Sequence, residues 1–257
     1  MYPVLFDVGG IAVYSYGLLI AIGALAGVAY MAVQGRKEVG LTIDQANMLF
    51  MLIFVAAFAG GKFFLFFEDP EYYYKNPIKL LVGRGFVFYG SFLFALPVML
   101  WYFRYQKLPV YTMLDVMAIT TCLVHAFGRI GCFLAGCCYG EPTSSALGVT
   151  FTSEVCFAKP LHTPLHPTQL YEAFFIFAVM GVLLFFRSRR KFHGQLFFFY
   201  LLAYAVGRFV IEYFRGDYSR GYVFEQYLSI SQLVAVLIFI VVSFLYLRRS
   251  RMTAFAK

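Results

Sequence analysis

Charge is what this chain has least of. Only 13% of its 257 residues are Asp, Glu, Lys or Arg, about half the share usual in a globular protein. So few charges cannot cover a folded particle of this size, and with 61% hydrophobic residues, 32 of them Phe, the outer surface must face hydrocarbon. A water-soluble domain is excluded. Segments of about ten residues with alternating polarity are missing too, which excludes a membrane β-barrel. The apolar stretches are long and continuous, so the fold class is an all-α polytopic membrane bundle. No basic n-region and no small-residue cleavage site frame the first stretch, which is therefore expected to stay in the membrane rather than be removed as a signal peptide. Internal repeats and low-complexity linkers are absent, and the length leaves no room for a separate soluble part, so residues 1–257 read as one integral membrane domain.

Spans are expected near 14–33, 47–67, 86–102, 112–135, 169–186, 194–214 and 227–247, about seven helices. One set of loops and ends holds twelve basic residues: Arg36, Lys37, Arg104, Lys107, Arg187, Arg189, Arg190, Lys191, Arg248, Arg249, Arg251 and Lys257. The other set holds six: Lys75, Lys79, Arg84, Lys159, Arg215 and Arg220. Positive charge resists translocation, which puts the N-terminus outside and the C-terminus in the cytoplasm. The net charge of +8 is then mostly anchoring to anionic lipid and needs no nucleic acid to explain it. The long outer segment 136–168 is rich in Gly, Pro, Ser and Thr and reads as a loop.

An ionisable residue inside a span costs at least about 2.5 kcal/mol, so each one faces the bundle interior with a partner or lies near an interface. Asp115, Arg129, Glu172, Arg208 and Glu212 are in that position. Taken singly, each reads equally well as a structural ion pair or a snorkelling base. As a group they favour function. Arg208 and Glu212 stand four apart on one helix face, Gly207 leaves room for a neighbour or a ligand, and Arg215 continues the stripe. Arg129 sits in HAFGRIGCFLAGCCYG, residues 125–140, where Gly128, Gly131, Gly136 and Gly140 permit close approach and a break in the helix. Helix packing accounts for the glycines but not for the arginine. Two arginines with forked donors point to a phosphate, here that of a phospholipid headgroup. HPTQLYE, residues 166–172, adds Thr168, Gln169, Tyr171 and Glu172 where a headgroup would lie.

The five cysteines, Cys122, Cys132, Cys137, Cys138 and Cys156, form no CxxC pair, and no distant His pair completes a tetrahedral set, so no metal and no cofactor is expected. A disulfide from Cys137 or Cys138 to Cys156 is open on an oxidising side, with an odd thiol left over. Cys122 and Cys132 read as small apolar packing residues.

Together these motifs resemble the bacterial phosphatidylglycerol:prolipoprotein diacylglyceryl transferase family. The resemblance runs over nearly the whole chain, through SYGL at 15–18, GFVFYGS at 85–91, GRIGCFLAGCCYG, HPTQLYE and YAVGRFVIEYFR at 204–215. It implies a multi-pass protein of the bacterial cytoplasmic (inner) membrane. Its partners would be phosphatidylglycerol and the prolipoprotein signal peptide with its lipobox cysteine, and the diacylglyceryl group would pass to that thiol, forming a thioether and releasing glycerol phosphate. By matching positions, Arg129 and Arg208 would hold the phosphate and stabilise the departing charge. Tyr16, Tyr204 and Glu212 would support the headgroup pocket, Gly140 would lie at its rim, and His166, Gln169, Tyr171 and Glu172 fall in the family's HPSQLYE-like string, with Thr168 in place of Ser.

The chain departs from that pattern at three further positions: Tyr89 stands where the best-known members carry His, and Cys132 and Cys137 stand where they carry Asn and Glu. The His is the family's proposed base for the incoming thiol, so Tyr89 is the catalytic candidate at its position. Either the thiol ionises by another route, or the chain is a relative acting on a different acceptor. A phospholipid or anion transporter is the reading from another class, disfavoured because repeated halves and paired broken helices are absent.

Overall fold

The computed structural model describes residues 3–9, 11–82, 87–216, 222–223 and 227–254. It is mostly helical. A short antiparallel hairpin, β1 (Val4–Val8) and β2 (Ile11–Tyr14), leads into α1 (Ser15–Val39) and α2 (Ile43–Glu68). Two short helices, α3 (Pro70–Lys75) and α4 (Pro77–Val82), precede α5 (Phe88–Tyr105) and α6 (Val110–Ala135). A long loop pairs two-residue strands β3 (Val149–Thr150) and β4 (Pro164–Leu165). After it come α7 (Thr168–Phe186), α8 (Gln195–Glu212), the pair β5 (Tyr222–Val223) and β6 (Leu228–Ser229), and α9 (Ile230–Ala254).

Each expected span coincides with a helix. Six of these helices, all but α5 among the seven, are long and apolar enough to cross a membrane by length and composition. α5 has only 18 residues and is diluted by Gly90, Ser91, Pro97 and Arg104. Gly85 and Phe86 of the GFVFYGS string, Arg84, Arg220 and Lys257 lie outside the described residues.

The chain divides into two compact units, residues 1–29 with 114–257, and residues 30–113. In the smaller unit α2 begins with a capping box, Thr42 accepting from the Gln45 amide while the Gln45 side chain accepts from the Thr42 amide. α2 and α5 pack together through Gly60 and Gly90, each of which would drive a Cβ into the other's carbonyl oxygen. Phe63 and Phe64 pack around Phe94 beside that crossing, with ring centroids 5.6 and 6.5 Å away.

In the larger unit, buried Asp115 on α6 explains one of the unexpected charges. Its carboxylate accepts from the amides of Gly194 at 2.8 Å and Phe197 at 3.1 Å, capping the first turn of α8, and Arg190 approaches it at 3.6 Å. Orphan amides and a fixed partial positive charge supply the partners that a buried carboxylate needs. Segment 136–167 is an ordered loop closed on Phe151, Cys156, Ala158 and Leu165, all buried. All five cysteines are unbridged, so the disulfide to Cys156 does not form: Cys156 belongs to this apolar cluster instead.

Candidate functional site

Glu172 organises the larger unit. It enters on the first turns of α7 because Pro167 stops the preceding strand and starts the helix there, and it is 2% exposed. Its Oε1 lies 3.1 Å from His125 Nε2, and its Oε2 lies 3.1 Å from Arg129 Nε and 4.0 Å from Arg208 Nη1. His125 and Arg129 are one turn apart on α6, with Arg129 Nε 3.4 Å from His125 Nε2; the shorter contact to Glu172 favours the tautomer with Nε2 protonated and donating to the carboxylate. Arg208 on α8 pairs with Glu212 at 2.7 Å, the four-residue pairing expected from their spacing, and donates through Nη2 to Ser231 on α9 at 3.3 Å.

What remains unengaged defines the chemistry. Arg208 Nη1 is buried without a hydrogen bond, and among the described residues the terminal nitrogens of Arg129 take none either. Three guanidinium nitrogens are thus left without a hydrogen bond: Glu172 meets Arg129 at Nε, and Arg208 Nη1 faces the same carboxylate at 4.0 Å, beyond hydrogen-bond reach. A phosphate matches such a set, because forked donors in a low-dielectric site bind its oxygens without reorganisation.

The other expected site residues fall around this cluster unevenly. Tyr204 lies one turn before Arg208, with its ring 5.4 Å from that of His125 and 6.1 Å from that of Tyr200. Tyr16, on the first turn of α1, packs on Gly131, where a Cβ would come within 3.2 Å of its ring. Gly207 makes room for a neighbour, since a Cβ there would enter the ring of Phe175 on α7. Gly140 is a crossing of three segments: its amide donates to the His166 carbonyl at 2.8 Å, it bridges to Arg215, and a Cβ on it would strike the Phe214 carbonyl oxygen and the His166 side chain. His166 Nδ1 lies 3.1 Å from the Tyr171 hydroxyl, and both rings pack on Phe214. Gln169 is 1% exposed; its Nε2 donates to the Cys137 carbonyl at 2.6 Å, and its Oε1 is a buried acceptor without a partner. Tyr89 belongs to the other unit, at the second position of α5, and is 60% exposed.

Two features were not anticipated. His125 stands among the site's contacts, and its signal is its spacing, four residues before Arg129. The second is a cluster of thiols: Sγ of Cys132, Cys137 and Cys138 all lie within 4.8 Å of one another, so Cys132 is not a simple packing residue. α6 ends in a Schellman motif, with Gly136 at φ +74°, its amide on Phe133 and that of Cys137 on Cys132, and this turns Cys137 back over the last turn of the helix. Hydrogen bonds from the Cys132 and Cys137 thiols, together with Arg215 and Arg129 nearby, hold the Cys138 thiol below the usual cysteine range.

Fold and site define a class: a multi-pass helical membrane protein with paired arginines gathered on one buried carboxylate and a thiol-lined turn one helical turn away. Residues 3–248 match the family model described as prolipoprotein diacylglyceryl transferase. A Clostridium tetani protein named phosphatidylglycerol–prolipoprotein diacylglyceryl transferase is 36% identical over 247 residues, covering 96% of this chain and 97% of the relative. A Clostridium perfringens protein with that name and the numeral 2 is 32% identical over 240 residues, 92% of this chain and 91% of its own. One from Dehalococcoides mccartyi is 31% identical over 222 residues, 85% of each. The chain belongs to the prolipoprotein diacylglyceryl transferase family.

Proposed function

We propose that this chain transfers the diacylglyceryl group of phosphatidylglycerol to the lipobox cysteine thiol of prolipoproteins, the first step of bacterial lipoprotein maturation. The names of its relatives state that activity, and the chain covers nearly their whole length. The observation that carries the reading to this chain's own residues is the set of donors that make no hydrogen bond among the described residues, Arg129 Nη1 and Nη2 and Arg208 Nη1, around Glu172. The acceptor thiol gives up its proton to water, and its sulfur attacks the glyceryl carbon bonded to the phosphate oxygen. A C–S bond forms, the C–O bond breaks, and its electron pair leaves on glycerol phosphate, where the arginines meet the extra charge. Glu172 and His125 fix the Arg129 guanidinium, Glu212 fixes that of Arg208, and Tyr16 and Tyr204 line the headgroup side. Gly140, His166 and Tyr171 shape the rim, and Gln169 Oε1 offers an acceptor to a headgroup hydroxyl. Both units form one transferase domain of seven spans, α5 included, in the bacterial inner membrane with the N-terminus outside. The twelve-to-six division of basic residues supports that orientation.

The test is direct. Purified protein in phosphatidylglycerol vesicles with a lipobox peptide gives a mass increase of one diacylglyceryl group on the peptide cysteine. Lipid or anion flux across those vesicles without any thioether overturns the reading in favour of a transporter.

A further inference from the structure

The three thiols at the end of α6 are more than the phosphate site requires. Cys132, Cys137 and Cys138 converge from the last helical turn and from the turn after it, all half-buried. A tetrahedral zinc trithiolate with bonds of about 2.3 Å has sulfur–sulfur edges of about 3.8 Å, so a set already within 4.8 Å needs only a small contraction. The loop is braced for this. Thr168 Oγ1 donates to the Cys138 carbonyl at 2.8 Å and Gln169 Nε2 to that of Cys137 at 2.6 Å. Cys138 itself is held at φ +61°, a left-handed conformation that a non-glycine residue adopts only where its surroundings impose it. Among the described residues no fourth His, Cys, Asp or Glu joins the group, which leaves a three-ligand site with one position open.

We infer that Cys132, Cys137 and Cys138 form a trithiolate site for a thiophilic divalent cation of the zinc class, whose open position takes the acceptor cysteine. The second half rests on the diacylglyceryl transfer reading. Arg129 precedes Cys132 by three residues, about 4.5 Å along α6, so a sulfur held at the open position lies beside the arginine that faces the phosphate. Coordination removes the acceptor's S–H proton to water and presents the sulfur as a thiolate. That sulfur forms the C–S bond as the C–O bond to phosphate breaks, and the cation changes no oxidation state. A thiol ionised in this way needs no histidine at the position of Tyr89.

Cobalt(II) is the probe, added to the reduced, chelator-washed protein in phosphatidylglycerol vesicles under nitrogen. One equivalent should bind with sulfur-to-cobalt charge-transfer absorption, unchanged in Cys122→Ala and lost in each of Cys132→Ser, Cys137→Ser and Cys138→Ser. Adding a lipobox peptide should raise the charge-transfer intensity by about one third as a fourth thiolate joins three, and a peptide with Ser for the lipobox Cys should not. No cobalt uptake by the reduced parent protein overturns the site, whatever the variants do. Uptake without a response to the peptide overturns the thiol-binding half. Thioether formation is measured in parallel: transfer by metal-free protein leaves the transferase reading standing and sinks this inference, whereas cobalt and peptide binding without transfer supports the site and sinks that reading.

Discussion

Arg129 meets Glu172 with its Nε, 3.1 Å from Oε2, so the carboxylate takes the guanidinium at Nε, and no hydrogen bond among the described residues occupies its terminal nitrogens. That orientation separates holding the arginine from using it. Lys cannot reproduce it, because one ammonium must choose between Glu172 and a phosphate. Arg129→Lys should lower thioether formation by about 10²–10³-fold at saturating lipid. Arg208→Lys should cost about tenfold to 10²-fold, since Nη2 of that residue is already taken by Glu212 and Ser231 and Nη1 is its buried nitrogen without a hydrogen bond. Near-normal rates in both inserted proteins end the phosphate role.

Glu172→Gln keeps the shape and removes the charge that two arginines share. Breaking a buried pair costs about 3–5 kcal/mol, so the purified variant should unfold at clearly lower temperature in detergent and lose at least about 10²-fold in transfer. Unchanged melting together with unchanged transfer would show that the carboxylate does not organise the cluster.

Tyr89→Phe removes only a hydroxyl from an exposed position on α5. A lost general base costs about 10²–10⁴-fold, whereas a wall residue should cost under about tenfold. The smaller effect is expected, measured at saturating lipid and peptide across pH. A loss of two orders of magnitude with unchanged substrate binding would make Tyr89 the proton acceptor.

Gly140→Ala places a methyl group where the Phe214 carbonyl and the His166 side chain already meet. One of three segments must move, and with it the loop that leads to Arg215. Transfer should drop more than about tenfold while α-helix content by circular dichroism stays that of the parent, since the crossing lies outside the helices.

A reporter fused after Lys257 should read as cytoplasmic and one inserted near Pro142 as external. Both on one side would remove the seven-span arrangement.

The helices were legible because hydrocarbon demands long apolar runs, and the Arg208–Glu212 pair because a helix puts four-residue neighbours together. Glu172 as the common partner of Arg129 and Arg208 was not, since 43 and 36 positions separate it from them and only the packing of α6, α7 and α8 closes that distance. His125 is written in its spacing to Arg129, yet a lone histidine in an apolar run carries no signal until its carboxylate is known. The thiol cluster is hidden in the sequence because a CxxC spacing presumes a continuous turn, whereas here the left-handed Gly136 folds the chain back on its own helix. Which segments meet at Gly140 likewise depends on tertiary packing, and no local pattern announces that crossing.

Asp115 has a consequence for motion. By seizing the amides of Gly194 and Phe197 it pins the first turn of α8, while the Gly140–Arg215 bridge and the Glu141 amide on the Phe214 carbonyl tether the far end. Arg208 lies 13 residues after Gln195, the first residue of that helix, and slipping α8 by a single residue would swing it about 100° around the axis, clear of Glu172. Anchored at both ends, α8 is held like an indexed shaft, and its setting about its own axis is what keeps Arg208 facing Glu172.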